Sequence, residues 1–187
     1  MSAQDLDYVS ELIATLGGLD SVTLHKACSI LLSAYDEDAT AWIGGNGGNS
    51  ANASHFATDW NKGLFKQTGK ALKSHSLWEN PSLISALAND QSFELIYSDQ
   101  LSMWAKPGDV AVLLSGGGSS KNILHAARTS KSLGLTVIGL TGGIGLKHAE
   151  LFDCHIHVPT DHIQIVEDVH AIFGHIVYEH IRLKRTL

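Results

Sequence analysis

Two side chains that can bind a metal ion, those of His55 and Asp59, stand four residues apart directly after a glycine-rich stretch. On a helix this spacing places both side chains on the same face. Near the end of the chain, Glu167 and His175 are eight residues apart, a rotation of about 80° that keeps both on one broad helix face. Two histidines and two carboxylates suit a divalent ion such as zinc. Each pair alone is a weak signal, because His–acid pairs are common on helix surfaces.

Two glycine-rich segments, Gly45-Asn-Gly-Gly-Asn-Ser50 and Ser115-Gly-Gly-Gly-Ser-Ser120, each follow an expected strand and precede an expected helix. Glycine lets backbone N–H groups approach an anion closely, and a helix N-terminus adds its positive end. The two loops together therefore predict phosphate binding. The first loop lacks the last glycine of the dinucleotide fingerprint, and neither loop continues as Gly-Lys-Ser/Thr. A nucleotide-binding α/β domain is therefore the less favoured alternative.

The elements that position these loops follow a strand–turn–helix pattern after two N-terminal helices. Helices are predicted over 6–16, 19–35, 50–62, 122–133 and 161–184. Strands are predicted over 39–43, 109–114, 135–140 and 154–158, with one weak strand between 63 and 80. Repeated β-loop-α units predict a parallel sheet covered by helices. In such a sheet the glycine loops gather at one edge, where ligands bind.

Length and composition narrow the class of protein. A chain of 187 residues can bury one good core and is short for two. The net charge of −6 argues against nucleic-acid binding, and no apolar run approaches the ~20 residues that span a membrane. The N-terminus is acidic where a signal peptide is basic, so a cytoplasmic location is expected. Cys28 and Cys154 have no motif spacing and are expected to be reduced and buried.

Four segments resemble the motifs of one known family. The first loop continues to His55 as Gly-Asn-Gly-Gly-Asn-Ser-Ala-Asn-Ala-Ser-His, similar to Gly-Asn-Gly-Gly-Ser-x-x-Asp-Ala-x-His. Asn89-Asp90 with Phe93-Glu94 is similar to Asn-Asp-x-x-Phe-Glu, and 115–122 is similar to Ser-Thr-Ser-Gly-Asn-Ser-x-Asn. The last helix has Glu-Asp-Val-His ending at His170, where the family has Gln-Glu-Val-His. The family is that of the phosphoheptose isomerases, members of the sugar isomerase (SIS) family, and the resemblance covers nearly the whole chain.

The resemblance implies an α/β fold, a three-layer α-β-α sandwich of Rossmann-like type with a five-stranded parallel sheet. It implies one SIS domain over 1–187, in which 1–36 form N-terminal helices that contribute to oligomerisation and 37–187 form the α/β core. It also implies a homotetramer with active sites between subunits.

Carried over residue by residue, the family's metal ligands become His55, Asp59, Glu167 and His175, and zinc is the expected ion. The chain has Asp59 where the family has Glu, and Glu167 where it has Gln; both replacements remain oxygen ligands. The resemblance assigns acid–base roles to Asp59 and His175. Because aspartate is one methylene shorter, its carboxylate could fall about 1 Å short, in which case either the helix sits closer or Glu167 acts as the base.

The implied activity is ketose–aldose isomerisation of a phosphorylated sugar through an enediol, with sedoheptulose 7-phosphate and D-glycero-heptose 7-phosphate as the expected pair. The alternative is a non-catalytic SIS-domain protein that binds a sugar phosphate or a replication initiator. No nucleic acid or membrane is expected as a partner. The expected substrate-binding residues are Asn46, Gly47, Gly48, Asn49, Asp90, Ser115, Gly116, Gly117 and Ser120.

Overall fold

The computed structural model describes residues 3–186, and its strands form one parallel sheet of five members. The strands are β1 Ala41–Gly45, β2 Ser74–Ser76, β3 Val110–Ser115, β4 Thr136–Thr141 and β5 Cys154–His157. Their spatial order is β2-β1-β3-β4-β5. The pairing of β1 with β3 runs in register from Ala41–Val110 to Gly45–Leu114. The predicted five-stranded parallel sheet is therefore confirmed.

Eight α-helices occur among the described residues. They are α1 Ala3–Gly17, α2 Ser21–Asp36, α3 Gly48–Thr58, α4 Leu64–Thr68, α5 Pro81–Asp90, α6 Ile96–Trp104, α7 Lys121–Ser132 and α8 Ile163–Arg185. A π-helical turn, Asp59–Gly63, joins α3 to α4, and a 3-10 segment, Gly145–Leu151, precedes β5. Within residues 3–186 no helix is both long and apolar enough to cross a membrane.

Helices pack on both faces of the sheet, which gives the expected three layers. One buried cluster joins β1, β3 and β4 to α2, α3 and α8, with Leu31, Phe56 and Phe173 among its members. The other joins the opposite faces of the strands to α5, α6 and α7, with Leu101 and Ile123 among its members. Full burial of each such side chain stabilises the fold by about 1.5–3 kcal/mol. Cys28 and Cys154 are buried and do not form a disulfide, as expected.

The helix predicted over 50–62 is the element that the structure changes most. The α-helix begins at Gly48 and ends at Thr58, and the chain continues through the π-helical turn into α4. Gly44 and Gly45 belong to β1 and not to the loop. A Cβ on Gly45 would stand 2.6 Å from the backbone oxygen of Asn49, so this glycine allows the strand and the helix to approach closely.

The sequence pattern did not predict α5 and α6. A start signal for α5 is nevertheless present, because Asn80 accepts a hydrogen bond from the Leu83 amide at 3.1 Å and Pro81 occupies the first turn. The weak strand expected between 63 and 80 is β2, which is three residues long and lies at the sheet edge.

Close packing of α3 against α8 depends on Gly174. A Cβ at this position would stand 2.1 Å from the Phe56 ring. We expect Gly174→Ala to lower the free energy of unfolding by about 1–3 kcal/mol, the usual cost of overpacking a core. Gly17→Ala is the matched control, because no atom of the described residues lies within 4 Å of its added Cβ. It should change stability by about 0.5 kcal/mol or less. Urea denaturation measures both, and equal stability of the two variants would contradict this account of the packing.

Candidate active site

Three of the four predicted metal ligands form one cluster. His55 Nε2 lies 2.8 Å from His175 Nε2, so one imidazole donates its N–H to the other. Asp59 Oδ2 lies 3.5 Å from His55 Nε2 and 3.8 Å from His175 Nε2. The ligand atoms all lie within 4.8 Å of one another. Residues 120 positions apart in the chain thus meet, which the sequence could suggest only through the family resemblance.

The π-helical turn and the contact with α8 fix the position of Asp59. Trp60, the second residue of the turn, is fully buried and donates its indole N–H to the Gly174 carbonyl at 3.0 Å. A Cβ on Gly63 would stand 2.9 Å from the Tyr178 ring, so the turn also packs closely on α8. π-Helical turns inside helices are frequent at functional sites. With this packing the short carboxylate of Asp59 reaches both imidazoles.

The donor set fits a small divalent cation. Donor atoms that share a tetrahedral zinc ion at about 2.0–2.1 Å stand roughly 3.3 Å from one another. The observed separations of 2.8, 3.5 and 3.8 Å lie on either side of this value. Imidazole nitrogens and carboxylate oxygens are also ligand types that bind zinc in proteins.

Glu167, the fourth predicted ligand, lies outside this cluster. It belongs to α8, and its side chain contacts the start of α3. Eight residues of α-helix separate it from His175 by about 12 Å along the axis. Its carboxylate lies against the start of α3, where a Cβ on Gly48 would stand 2.2 Å from Oε2. Its Oε1 is 3.5 Å from Asn49 Nδ2, and its backbone carbonyl accepts a hydrogen bond from Asn52 Nδ2 at 3.0 Å. Glu167 and His175 share one broad face of α8, as expected from a rotation of about 80°, but the displacement along the axis leaves the Glu167 carboxylate outside the cluster.

The first glycine loop is tied to the second by a pair of side-chain amides. Asn46 and Asn122 exchange two hydrogen bonds of 2.9 Å. Tyr97 donates its hydroxyl to the Gly45 carbonyl, and burial raises the pKa of Tyr97 well above its usual value, so the hydroxyl stays protonated. The amide of Asn46 is therefore engaged within the protein. Asn122 was visible in the sequence as the last residue of a family-like motif, whereas no signal marked Tyr97.

Other residues of the first loop differ in exposure. Gly47 has φ +55, a conformation that favours glycine, and both Gly47 and Gly48 are exposed. Asn49 is 3% exposed, and its Oδ1 lies 2.7 Å from Nδ1 of the buried His170. Its side chain thus points into the protein.

The second glycine loop presents backbone and two hydroxyls at the start of α7. Ser115 donates its hydroxyl to Ser120 Oγ at 3.2 Å. Ser120 is the N-cap of α7, and its side chain does not cap the helix; in the first turn the Ile123 N–H donates to Asn122 Oδ1 at 3.0 Å. A Cβ on Gly117 would meet nothing within 4 Å, whereas one on Gly116 would meet Ile163 at 2.2 Å. This arrangement suits an anion.

Asp90, an expected sugar-binding residue, ends α5 and is exposed. It accepts a hydrogen bond from Asn89 Nδ2 at 2.8 Å. Both residues line an open depression of about 550 Å³ together with Pro81, Ser85 and other residues of α5. Among the described residues Asp90 makes no hydrogen bond to either glycine loop.

Known protein sequences and solved structures resemble this chain over most of its length. A sequence profile of the SIS domain family matches residues 6–142. The phosphoheptose isomerase of Rhodospirillum rubrum is 38% identical over 154 residues, which are 82% of this chain and 81% of that protein. That of Mycobacterium tuberculosis is 34% identical over 165 residues, 87% of this chain and 84% of that protein. The solved phosphoheptose isomerase of Neisseria gonorrhoeae superimposes with a TM-score of 0.85 at 26% identity, over 95% of this chain and 96% of that chain.

Proposed function

The chain belongs to the SIS domain family, and on this premise we propose that it interconverts a ketose phosphate and an aldose phosphate, with sedoheptulose 7-phosphate and D-glycero-heptose 7-phosphate as the pair. The observation that carries the proposal is the convergence of His55 and Asp59, from α3 and its π-helical turn, with His175 of α8. Acid–base groups of this kind, together with an anion site such as the second glycine loop offers, are what isomerisation of a phosphorylated sugar requires.

In the proposed reaction, Asp59 and His175 move protons between two adjacent carbons and their oxygens. One group removes a proton from C1 of the ketose while the other gives a proton to the C2 carbonyl oxygen, and this produces the enediol. Removal of the proton from the C1 hydroxyl and delivery of a proton to C2 then give the aldose. Asp59 Oδ2 and His175 Nε2 are 3.8 Å apart, a spacing that supports proton transfer at adjacent atoms of one sugar.

We propose that His55, Asp59 and His175 hold a divalent metal ion, with zinc as the expected ion. Glu167, expected as a fourth ligand, lies outside this cluster in the chain, and its carboxylate faces the first glycine loop instead. When bound, the ion supplies Lewis-acid stabilisation of the negative charge that develops on the sugar oxygens. His55 would hold the ion together with Asp59 and His175.

The second glycine loop is the better place for the phosphate. The Glu167 carboxylate adds negative charge at the start of α3, so the first loop, Asn46 to Asn49, suits the hydroxyl groups of the sugar. Backbone N–H groups from Gly116 and Gly117, with the hydroxyls of Ser115 and Ser120, suit the phosphate at the N-terminus of α7. Asp90 is proposed to contact sugar hydroxyls.

We propose a homotetramer with active sites between subunits, formed by a single SIS domain over 1–187. Support comes from the openness of the site in one chain: the side chains of His55 and His175 are 46% and 55% exposed. The N-terminal helices also expose apolar side chains, with Ile13 64% and Val22 75% exposed, as a surface that packs on another subunit does. Reduced buried cysteines agree with the proposed cytoplasmic location.

The non-catalytic alternative is not favoured. The relatives that match most of the chain are named as phosphoheptose isomerases, and His55, Asp59 and His175 converge in this chain. A purely adaptor protein gives no reason for two imidazoles and a carboxylate to converge.

Turnover of sedoheptulose 7-phosphate tests the proposal. Protein purified without chelator should convert the ketose, and a chelator should lower turnover by at least about 10²-fold, because Lewis-acid stabilisation is worth several kcal/mol. Added zinc should restore turnover, and chelator already saturated with zinc is the control. Absence of turnover with and without zinc would contradict the proposal. If the sugar phosphate binds without turnover, the adaptor function is supported instead.

A further inference from the structure

A buried histidine that the proposed reaction does not use lies behind the first glycine loop. His170 is completely buried on α8, and its Nδ1 lies 2.7 Å from Asn49 Oδ1. Its Nε2 is also buried and has no hydrogen-bond partner within residues 3–186. Burial lowers the pKa of His170 to about 3, so the ring is neutral at ordinary pH.

The surroundings of His170 and Asn49 favour one tautomer of the His170 imidazole and one orientation of the Asn49 amide. With the proton on Nδ1, His170 donates to Asn49 Oδ1, and the unpaired Nε2 carries a lone pair. The other tautomer would bury an N–H group without an acceptor, and such orphaned donors are rare. It would also turn Asn49 Oδ1 toward the Glu167 carboxylate, which would bring two acceptors together. Both ends of the contact therefore favour the Nδ1–H tautomer.

This orientation points the Asn49 amide group at Glu167. Asn49 Nδ2 lies 3.5 Å from Glu167 Oε1, a long contact that acts more by charge than as a strong hydrogen bond. Asn52 holds the backbone of Glu167 through a 3.0 Å hydrogen bond. Gly48 has no side chain to displace the carboxylate, which a Cβ there would meet at 2.2 Å. The carboxylate is thus confined between the Gly48 backbone and the Asn49 amide.

We propose that His170 is a positioning residue for Glu167 that acts through Asn49. His170 fixes the orientation of the Asn49 amide, and the amide sets where the Glu167 carboxylate lies at the start of α3. Asn49 then has a structural partner on each side and is not a phosphate ligand. The consequence for catalysis rests on the proposed function, in which Glu167 belongs to the active site.

The hydrogen-bonded chain has a test that does not depend on activity. In an NMR spectrum of protein with ¹⁵N-labelled histidine, one imidazole ring should give the signals of the neutral Nδ1–H tautomer. These signals are assigned to His170 if they are missing from the spectrum of His170→Met. Asn49→Ala removes the acceptor and should change the tautomer signature of that ring. A wild-type His170 with its proton on Nε2, or a signature unchanged by Asn49→Ala, would overturn the proposal even if the enzyme is active.

The kinetic test compares two replacements of His170. His170→Met removes the donor at similar volume, and we expect kcat to fall about 10²-fold, the cost of a misplacement near 1 Å, with KM within about threefold of wild type. His170→Asn keeps a donor close to the Nδ1 position and should retain kcat within about fivefold. Asn49→Ala should match His170→Met, and the double variant should be no worse than either, because the two residues act as a unit.

Outcomes that overturn the positioning role are distinct from failure of the proposed function. If His170→Asn and His170→Met lose activity equally and both unfold at lower urea concentration, His170 has only a packing role. If His170→Met does not fold, the tautomer measurement on wild-type protein and on Asn49→Ala still tests the positioning role of His170. If wild-type protein has no isomerase activity, the proposed function is wrong, while the tautomer result continues to test the contact.

Discussion

His175→Ala should lower turnover of sedoheptulose 7-phosphate by about 10³-fold, within the 10²- to 10⁴-fold range typical of a lost acid–base group. The substitution removes one of the two imidazoles of the cluster, whose Nε2 lies 2.8 Å from that of His55. It also removes a proposed metal ligand, so the metal content of the purified protein should fall together with kcat. Steady-state kinetics and metal analysis on the same preparation measure both effects.

His180→Ala is the matched control for that substitution. His180 lies on the same helix, where its ring makes an edge contact with His25 at 5.7 Å between centroids. It should retain turnover within about twofold, since a helix substitution away from the site has a small effect. Wild-type turnover and wild-type metal content in His175→Ala would remove the acid–base assignment and the metal site together.

The sequence predicted the sheet and the edge at which the glycine loops lie, because those features follow from short-range patterns. β3 reads as a continuously apolar run, and all six of its residues are buried, as expected for a central parallel strand. The glycine loops follow β1 and β3, and adjacent parallel strands bring their carboxyl ends to the same edge. The hydrophobic periodicity and the positions of the glycines are sufficient to predict both features.

What the sequence could not predict depends on contacts between residues that are far apart in the chain. Asn49 and Glu167 both depart from the family pattern, and the structure places them in contact although they are 118 residues apart. The contact of His170 with Asn49 is equally distant in sequence. The π-helical turn at Asp59 has no strong local signal, because it is stabilised by the packing of Trp60 and Gly63 on α8. Tertiary packing, not propensity, decides such local geometry.

Asp59→Asn should lower kcat by about 10²- to 10⁴-fold, because it keeps the size of the side chain and removes the charge and the proposed base. Asp59 Oδ2 is already 3.5 Å from His55 Nε2 and 3.8 Å from His175 Nε2, so the shorter side chain does not need the extra methylene of the family glutamate. Asp59→Glu should therefore lower kcat as well, by about 10²-fold, since the added methylene displaces the carboxylate by roughly 1 Å. Turnover of both variants, with and without added zinc, measures these effects.

The direction of the Asp59→Glu result separates two accounts of this site. If the π-helical turn has adjusted the backbone to a short carboxylate, glutamate overshoots and turnover falls. If the aspartate is out of reach of the sugar, glutamate should raise turnover, and Glu167 would then become the better candidate for the base. Asp161→Asn, at an exposed position before α8, is the control and should retain turnover within about twofold. Asp59→Asn tests the charge of the side chain, and Asp59→Glu tests its length. Together the two variants distinguish the loss of the proposed base from the displacement of its carboxylate.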